Sequence, residues 1–118
     1  MLINRNIIIQ LQPIFNKIKQ NTNIGIYTQY NFLKLKKIYE DELSIFNEQK
    51  ERFMNYCEPT SNPNEFKIKD EYLEQCTKEL NQLNSISIQI PDIYFSLDEL
   101  ESLNLTFEEL ELLMPFIK

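Results

Sequence analysis

Thirty residues from Thr28 to Cys57 run without a proline or glycine, and within them Phe32, Leu35, Tyr39, Leu43, Phe46, Phe53 and Cys57 recur at steps of three and four, interrupted only where Lys50 takes the stripe position. Such spacing keeps one face of an α-helix apolar, so the segment reads as a single long helix with Thr28 as its N-cap. At 1.5 Å per residue it measures about 45 Å, whereas a compact domain of this length is roughly 35 Å across. The helix must therefore span or overrun the domain built around it.

What surrounds it is also helical in pattern. Asn4 or Asn6 starts a helix over residues 4 to 20, with Ile7, Leu11, Ile14 and Ile18 on one face. Pro13 lies inside that stripe, so either the helix kinks there, the preferred reading, or Ile7–Ile9 is a strand and the helix begins at the proline. The polar stretch Asn21–Ile26, with the only glycine at Gly25, is the turn of a helical hairpin. Glu58 to Asn64, with two prolines, is a loop. Phe66–Ile68 and Ile86–Ile90 alternate like short strands and are expected to pair with each other, flanking a third helix capped by Asp70 with Leu73, Cys76, Leu80 and Leu83 inward. Ser96 with Glu99 and Thr106 with Glu109 form two capping boxes, each the start of a short helix. The expected fold is mainly α with some β: a helical hairpin with one long central helix, a small two-stranded sheet and short C-terminal helices, in a single domain of residues 1–118.

Charge divides the chain. Residues 1 to 39 hold six cations and no carboxylate, residues 40 to 118 hold six cations and all eighteen carboxylates, and the total is −6. An asymmetry of +6 against −12 points to electrostatic pairing within or between molecules. Ala, Val, His and Trp are absent. The codons of Ala, Val and Gly begin with G, so an AT-rich genome explains the bias. Without histidine there is no Ser-His-Asp or Cys-His couple and no imidazole metal ligand, and a single glycine excludes the phosphate-cradling loops. No catalytic residue, cofactor or metal site is expected. Cys57 and Cys76 read as reduced structural thiols, no apolar run approaches the roughly 20 residues that cross a bilayer, and the chain reads as soluble.

Several clusters invite a functional reading. Glu40-Asp41-Glu42 and Glu108-Glu109-Glu111 lie on helices whose adjacent residues diverge by about 100°, so they read as solvated faces; Asp70, Glu71 and Glu74 suit a helix start. Lys34, Lys36 and Lys37 with Tyr27 and Tyr30 have the composition of a nucleic-acid surface, but the acidic total and the neighbouring Glu40 and Asp41 weigh against it. The apolar C-terminus around Leu113 and Phe116 is either a lid on the core, the preferred reading, or an anchor for a partner groove. The candidate interface is therefore Phe46, Phe53 and Cys57 on the overrunning stripe, the lysines 34, 36 and 37, and Leu113 and Phe116. Self-association through the stripe from Phe46 to Cys57 follows from the helix length and the charge asymmetry.

The order of elements adds one more indication. The short N-terminal helix, the Lys-rich then Glu-rich helix from Tyr30 to Arg52, the Phe-Lys-Ile-Lys-Asp-Glu stretch (66 to 71), the Lys-Glu-Leu helix end (78 to 80), the Ile-Ser-Ile strand and the closing Leu-Thr-Phe-Glu-Glu-Leu-Glu-Leu-Leu-Met-Pro-Phe-Ile segment (105 to 117) together resemble small helical proteins of uncharacterised function encoded by phages and prophages of Gram-positive bacteria. The resemblance implies a setting in the bacterial host cytoplasm or the virion, and a non-enzymatic role in assembly or as an accessory factor, played through a protein partner that includes a second copy. The alternative is an acidic inhibitor of a host nucleic-acid-handling or defence protein. Neither role needs a membrane or a small-molecule substrate.

Overall fold

The computed structural model describes residues 1–21 and 23–118; Thr22, inside the expected hairpin turn, lies outside them. The chain opens with strand β1 (Leu2–Asn4), followed by α1 (Arg5–Ile9), α2 (Gln12–Gln20) and the long α3 (Ile26–Phe53). The Asn4 side chain accepts from the Asn6 amide at 2.8 Å and so starts α1. The expected kink becomes a full break at Gln10 and Leu11, and Pro13 sits in the first turn of α2. There its missing N–H costs nothing, which is why two short helices replace one bent helix. The break also rotates the buried face: Ile8, Leu11, Ile14 and Phe15 are buried, while Ile7 and Ile18 only flank the core.

Helix α3 has 28 residues, about 42 Å. It starts at Gly25 rather than Thr28, whose side chain is buried, and passes at Met54–Tyr56 into a 3-10 turn before strand β2 (Cys57–Pro59). Cys57 thus opens a strand and does not close the helix. β2 pairs antiparallel with β3 (Phe66–Ile68), Cys57 opposite Ile68. A 3-10 turn, Asp70–Tyr72, leads into α4 (Leu73–Asn84) without a side-chain cap from Asp70, and β4 (Ser87–Gln89) follows.

The strand pairing differs from expectation. β3 does not meet β4; instead β4 pairs antiparallel with β1, Ile3 opposite Ile88. The intervening α4 is about 18 Å long and separates β3 from β4 along its axis, so each strand finds a nearer partner. The fold remains mainly helical, with two two-stranded sheets among the described residues. Short α5 (Leu97–Leu100) and α6 (Phe107–Leu113) complete it, both started by the expected capping boxes.

The core gathers at one end. Phe32, Leu35 and Tyr39 from the first half of α3 meet α1, α2 and the segment from Ile90 to Phe116. Phe32 stacks on Phe95 with ring centroids 4.1 Å apart, and Phe15 packs on Tyr39 at 5.3 Å. The C-terminal segment is clamped along Phe95, whose amide donates to the Phe116 carbonyl and whose carbonyl accepts from the Lys118 amide at 3.0 Å. Beyond Tyr39, α3 runs out with the β2–β3 hairpin and α4 as an arm in which Cys76 is the one fully buried side chain among the described residues. The Leu73, Cys76, Leu80 and Leu83 stripe is covered only in part, with Leu73 and Leu80 exposed, because α4 has a narrow partner and not the main core. The molecule measures 52 × 30 × 23 Å with a radius of gyration of 17.5 Å, against about 13 to 14 Å for a compact domain of this length.

A half-buried lysine and a buried carboxylate join the parts. Lys17 of α2 donates to Glu109 Oε1 and, at 2.9 Å, to the Asn104 carbonyl, tying α2 to the start of α6. Asn104 occupies the left-handed region at φ 52°, which an asparagine tolerates, and turns the chain toward Thr106. Burial pushes the Glu109 carboxyl up. The Lys17 hydrogen bond, the bonds from the Thr106 amide and hydroxyl and the Lys17 charge together outweigh it and hold the group below its ordinary value. A depressed carboxyl stabilises the fold fully above its unfolded value of about 4.3 and loses that stabilisation as pH falls through the folded value. Glu109→Gln keeps the capping box, which takes either residue, but loses the charge-assisted bond from Lys17; it should therefore cost about 1.5 kcal/mol at neutral pH and flatten the loss of stability below about pH 5. Urea melts at several pH values check this; equal acid slopes for the two proteins would contradict it.

Candidate interaction surface

The buried face of α3 carries Thr28, Phe32, Leu35 and Tyr39. On the opposite face Ile26, Tyr30, Leu33 and Lys37 follow at steps of four, three and four, the first three 75%, 60% and 57% exposed, with Tyr27 beside them 82% exposed. Single exposed apolar residues are ordinary on protein surfaces, whereas a contiguous run marks a contact site. Lys34 Nζ lies 5.3 Å from the Tyr30 ring centroid, a cation–π contact that keeps the ammonium on this face.

The start of the helix adds a second sign of charge. Gly25 offers no side-chain cap and the first turn holds no acid, so the positive end of a 28-residue dipole is open. Asp98, Glu99 and Glu101, from α5 and the turn after it, line one shallow depression of about 630 Å³ together with Asn23, Ile26 and Tyr27. Carboxylates from a distant part of the chain thus flank the apolar stripe at its N-terminal end, while Lys34 and Lys37 flank it at the other.

The residues singled out in the sequence scatter. Lys34 is half-buried and Lys36 and Lys37 are exposed, all on or beside this face; Lys36 reaches Glu40 at 4.0 Å, and Lys37 has no ion pair among the described residues. Phe46 is half-buried beneath the Arg5 guanidinium, 5.7 Å from its ring centroid. Phe53 is half-buried against Tyr56, and with Arg52, Glu79, Leu83 and Ile86 it lines a groove of about 370 Å³ between the end of α3 and α4. The half-buried Cys57 thiol donates to the Phe53 carbonyl at 3.5 Å. Leu113 and Phe116 are fully buried and serve the core, while Met114 between them stays exposed. The overrunning stripe is therefore covered in part, by α1 near Phe46, with a groove left open beside Phe53, and a more exposed apolar run lies on the reverse side at the other end of the same helix. Ile26 and Leu33 are not among the residues that the sequence pattern singles out; their signal is a second stripe on α3 in antiphase with the buried one.

Burial raises the Cys76 thiol, with Cys57 and Glu79 adding to the effect, so it stays protonated at neutral pH and is a poor nucleophile. Among the described residues no three potential metal ligands converge, and no helix is long and apolar enough to cross a membrane. What the arrangement offers chemically is a rigid apolar stripe with lysines at one end and carboxylates at the other. Comparison of the chain with protein-family models, curated proteins and solved structures gives no match, and the surface is read from its own geometry.

Proposed function

We propose that the protein is a non-enzymatic phage or prophage protein that acts by protein–protein contact, in virion assembly or as an accessory factor, and that the exposed start of α3 is its contact face. The observation that supports this reading is the run of Ile26, Tyr30, Leu33 and Lys37 with Tyr27 and Lys34, left open by the chain's own core. A few aromatic and aliphatic anchors with a charged rim are what protein interfaces use. The alternative, an acidic inhibitor that imitates nucleic acid, needs its carboxylates on one face; here exposed carboxylates are spread over α3, the hairpin, α4, α5 and α6. That spread favours the first reading.

A photo-crosslinking residue at Tyr27, with one at Glu74 on the arm as control, tests it in cells carrying the gene. Discrete protein adducts from position 27, absent from position 74 and abolished by Leu33→Glu, are expected. Adducts to nucleic acid, or none at position 27, would overturn the reading.

A further inference from the structure

We infer that the contact face at the start of α3 takes a second copy of this chain, paired antiparallel about a two-fold axis between Tyr30 and Leu33; this inference rests on the interaction reading above. The charges choose the partner and its direction. With the axis at that point, Leu33 of one copy lies against Tyr30 of the other, and Lys37 lies against the other copy's Ile26. Ile26 shares its depression with Asp98, Glu99 and Glu101, so each Lys37, with Lys34 one turn before it, reaches an acidic rim. A parallel pairing would instead set Lys37 against Lys37 and the carboxylates against one another, a like-charge arrangement that interfaces avoid. A two-fold contact uses the same patch twice, and this patch complements itself: apolar at the centre, basic at one end, acidic at the other.

The alternatives fit less well. A nucleic acid would meet the lysines but also the three carboxylates beside Ile26 and Tyr27. The groove between α3 and α4 faces Arg52 and Glu79 together, and nothing there selects an occupant. The stripe from Ile26 to Lys37 spans about 16 Å, a small contact whose energy depends on its few anchors.

Sedimentation velocity over a concentration series, with wild type and three variants of this face, tests the pairing. Wild type should dimerise. Leu33→Glu should raise the dissociation constant about thirty-fold, the loss expected of a central anchor. Lys34→Glu with Lys37→Glu should be monomeric, as should Asp98→Lys with Glu101→Lys, because each places like charges at both ends. Mixing these two should restore a dimer, since every end then meets its opposite. Circular dichroism checks that each remains folded. A wild type that stays monomeric throughout, or a dimer unaffected by all three variants, overturns the inference, as does failure of the mixture to pair. If the protein is monomeric but position 27 still crosslinks to another protein, the interaction reading stands and the two-fold pairing falls; if both assays are negative, both fall.

Discussion

Phe32→Ala lowers the folding stability by about 3 to 5 kcal/mol, the usual cost of emptying a buried aromatic site, while Leu33→Ala, one position along the same helix, costs under about 0.5 kcal/mol. The contrast comes from the two faces of α3. Phe32 is buried and stacks on Phe95, and Phe95 in turn carries the hydrogen bonds that hold the C-terminal segment at Phe116 and Lys118. Removing the Phe32 ring therefore loosens the joint between the long helix and the last quarter of the chain. Leu33 points to solvent and packs on nothing comparable. With a total of about 5 to 15 kcal/mol available to a domain, the Phe32 variant approaches unfolding at room temperature. Urea midpoints for the two variants measure the difference, and similar midpoints would contradict the assigned core.

Arg5 gives the second large effect. It is 2% exposed, its guanidinium lies over Phe46 and donates to Gln49 Oε1, and its Nε has no partner among the described residues. Desolvating a cation is costly without a carboxylate to compensate, so the charge itself adds little net stability. The volume does more, because the side chain fills the joint where α1 meets the arm. Arg5→Ala should cost about 2 to 4 kcal/mol through the cavity and the stranded Gln49 amide. Arg5→Met, which keeps most of the volume and removes the charge, should cost less than about 1 kcal/mol or stabilise. Thermal melts of both distinguish volume from charge; an equal loss in the two variants would show that the charge matters after all.

How much of this was legible beforehand follows from the range of each interaction. The long helix and the two capping boxes are set by residues within a few positions of one another, and the sequence pattern carries them; the inward C-terminus is held by the distant Phe95 and is legible only through its run of apolar residues. Pro13 marks an interruption but not its extent, since a proline is accommodated equally by a kink and by a new first turn; Leu11 keeps its place in the apolar stripe and is buried, so the pattern runs through the break without showing it. The strand pairing is not legible because Phe66–Ile68 and Ile86–Ile90 are alike in pattern, while the choice of partner depends on the path of α4 and on β1, whose Leu2 and Ile3 lie before the expected N-terminal helix and carry no strand signal of their own. The candidate interface was drawn from an apolar stripe whose length exceeds a compact core. Part of that length is covered by α1, with Arg5 reaching Phe46, while Phe53 stays beside an open groove. The open surface was carried by Ile26, Tyr30 and Leu33, whose spacing matches the buried stripe's and so yields no contrast until one face is known to be inside.

An NMR dilution series on the wild-type protein, from about 1 mM to about 10 μM, tests the contact face most directly, since that range brackets a dissociation constant of roughly 0.1 mM, or about 5 kcal/mol. The account predicts concentration-dependent amide shifts confined to Ile26–Lys37 and Asp98–Glu101, with the arm from Phe46 to Leu83 unchanged. Shifts centred on the arm, or none anywhere, would contradict it.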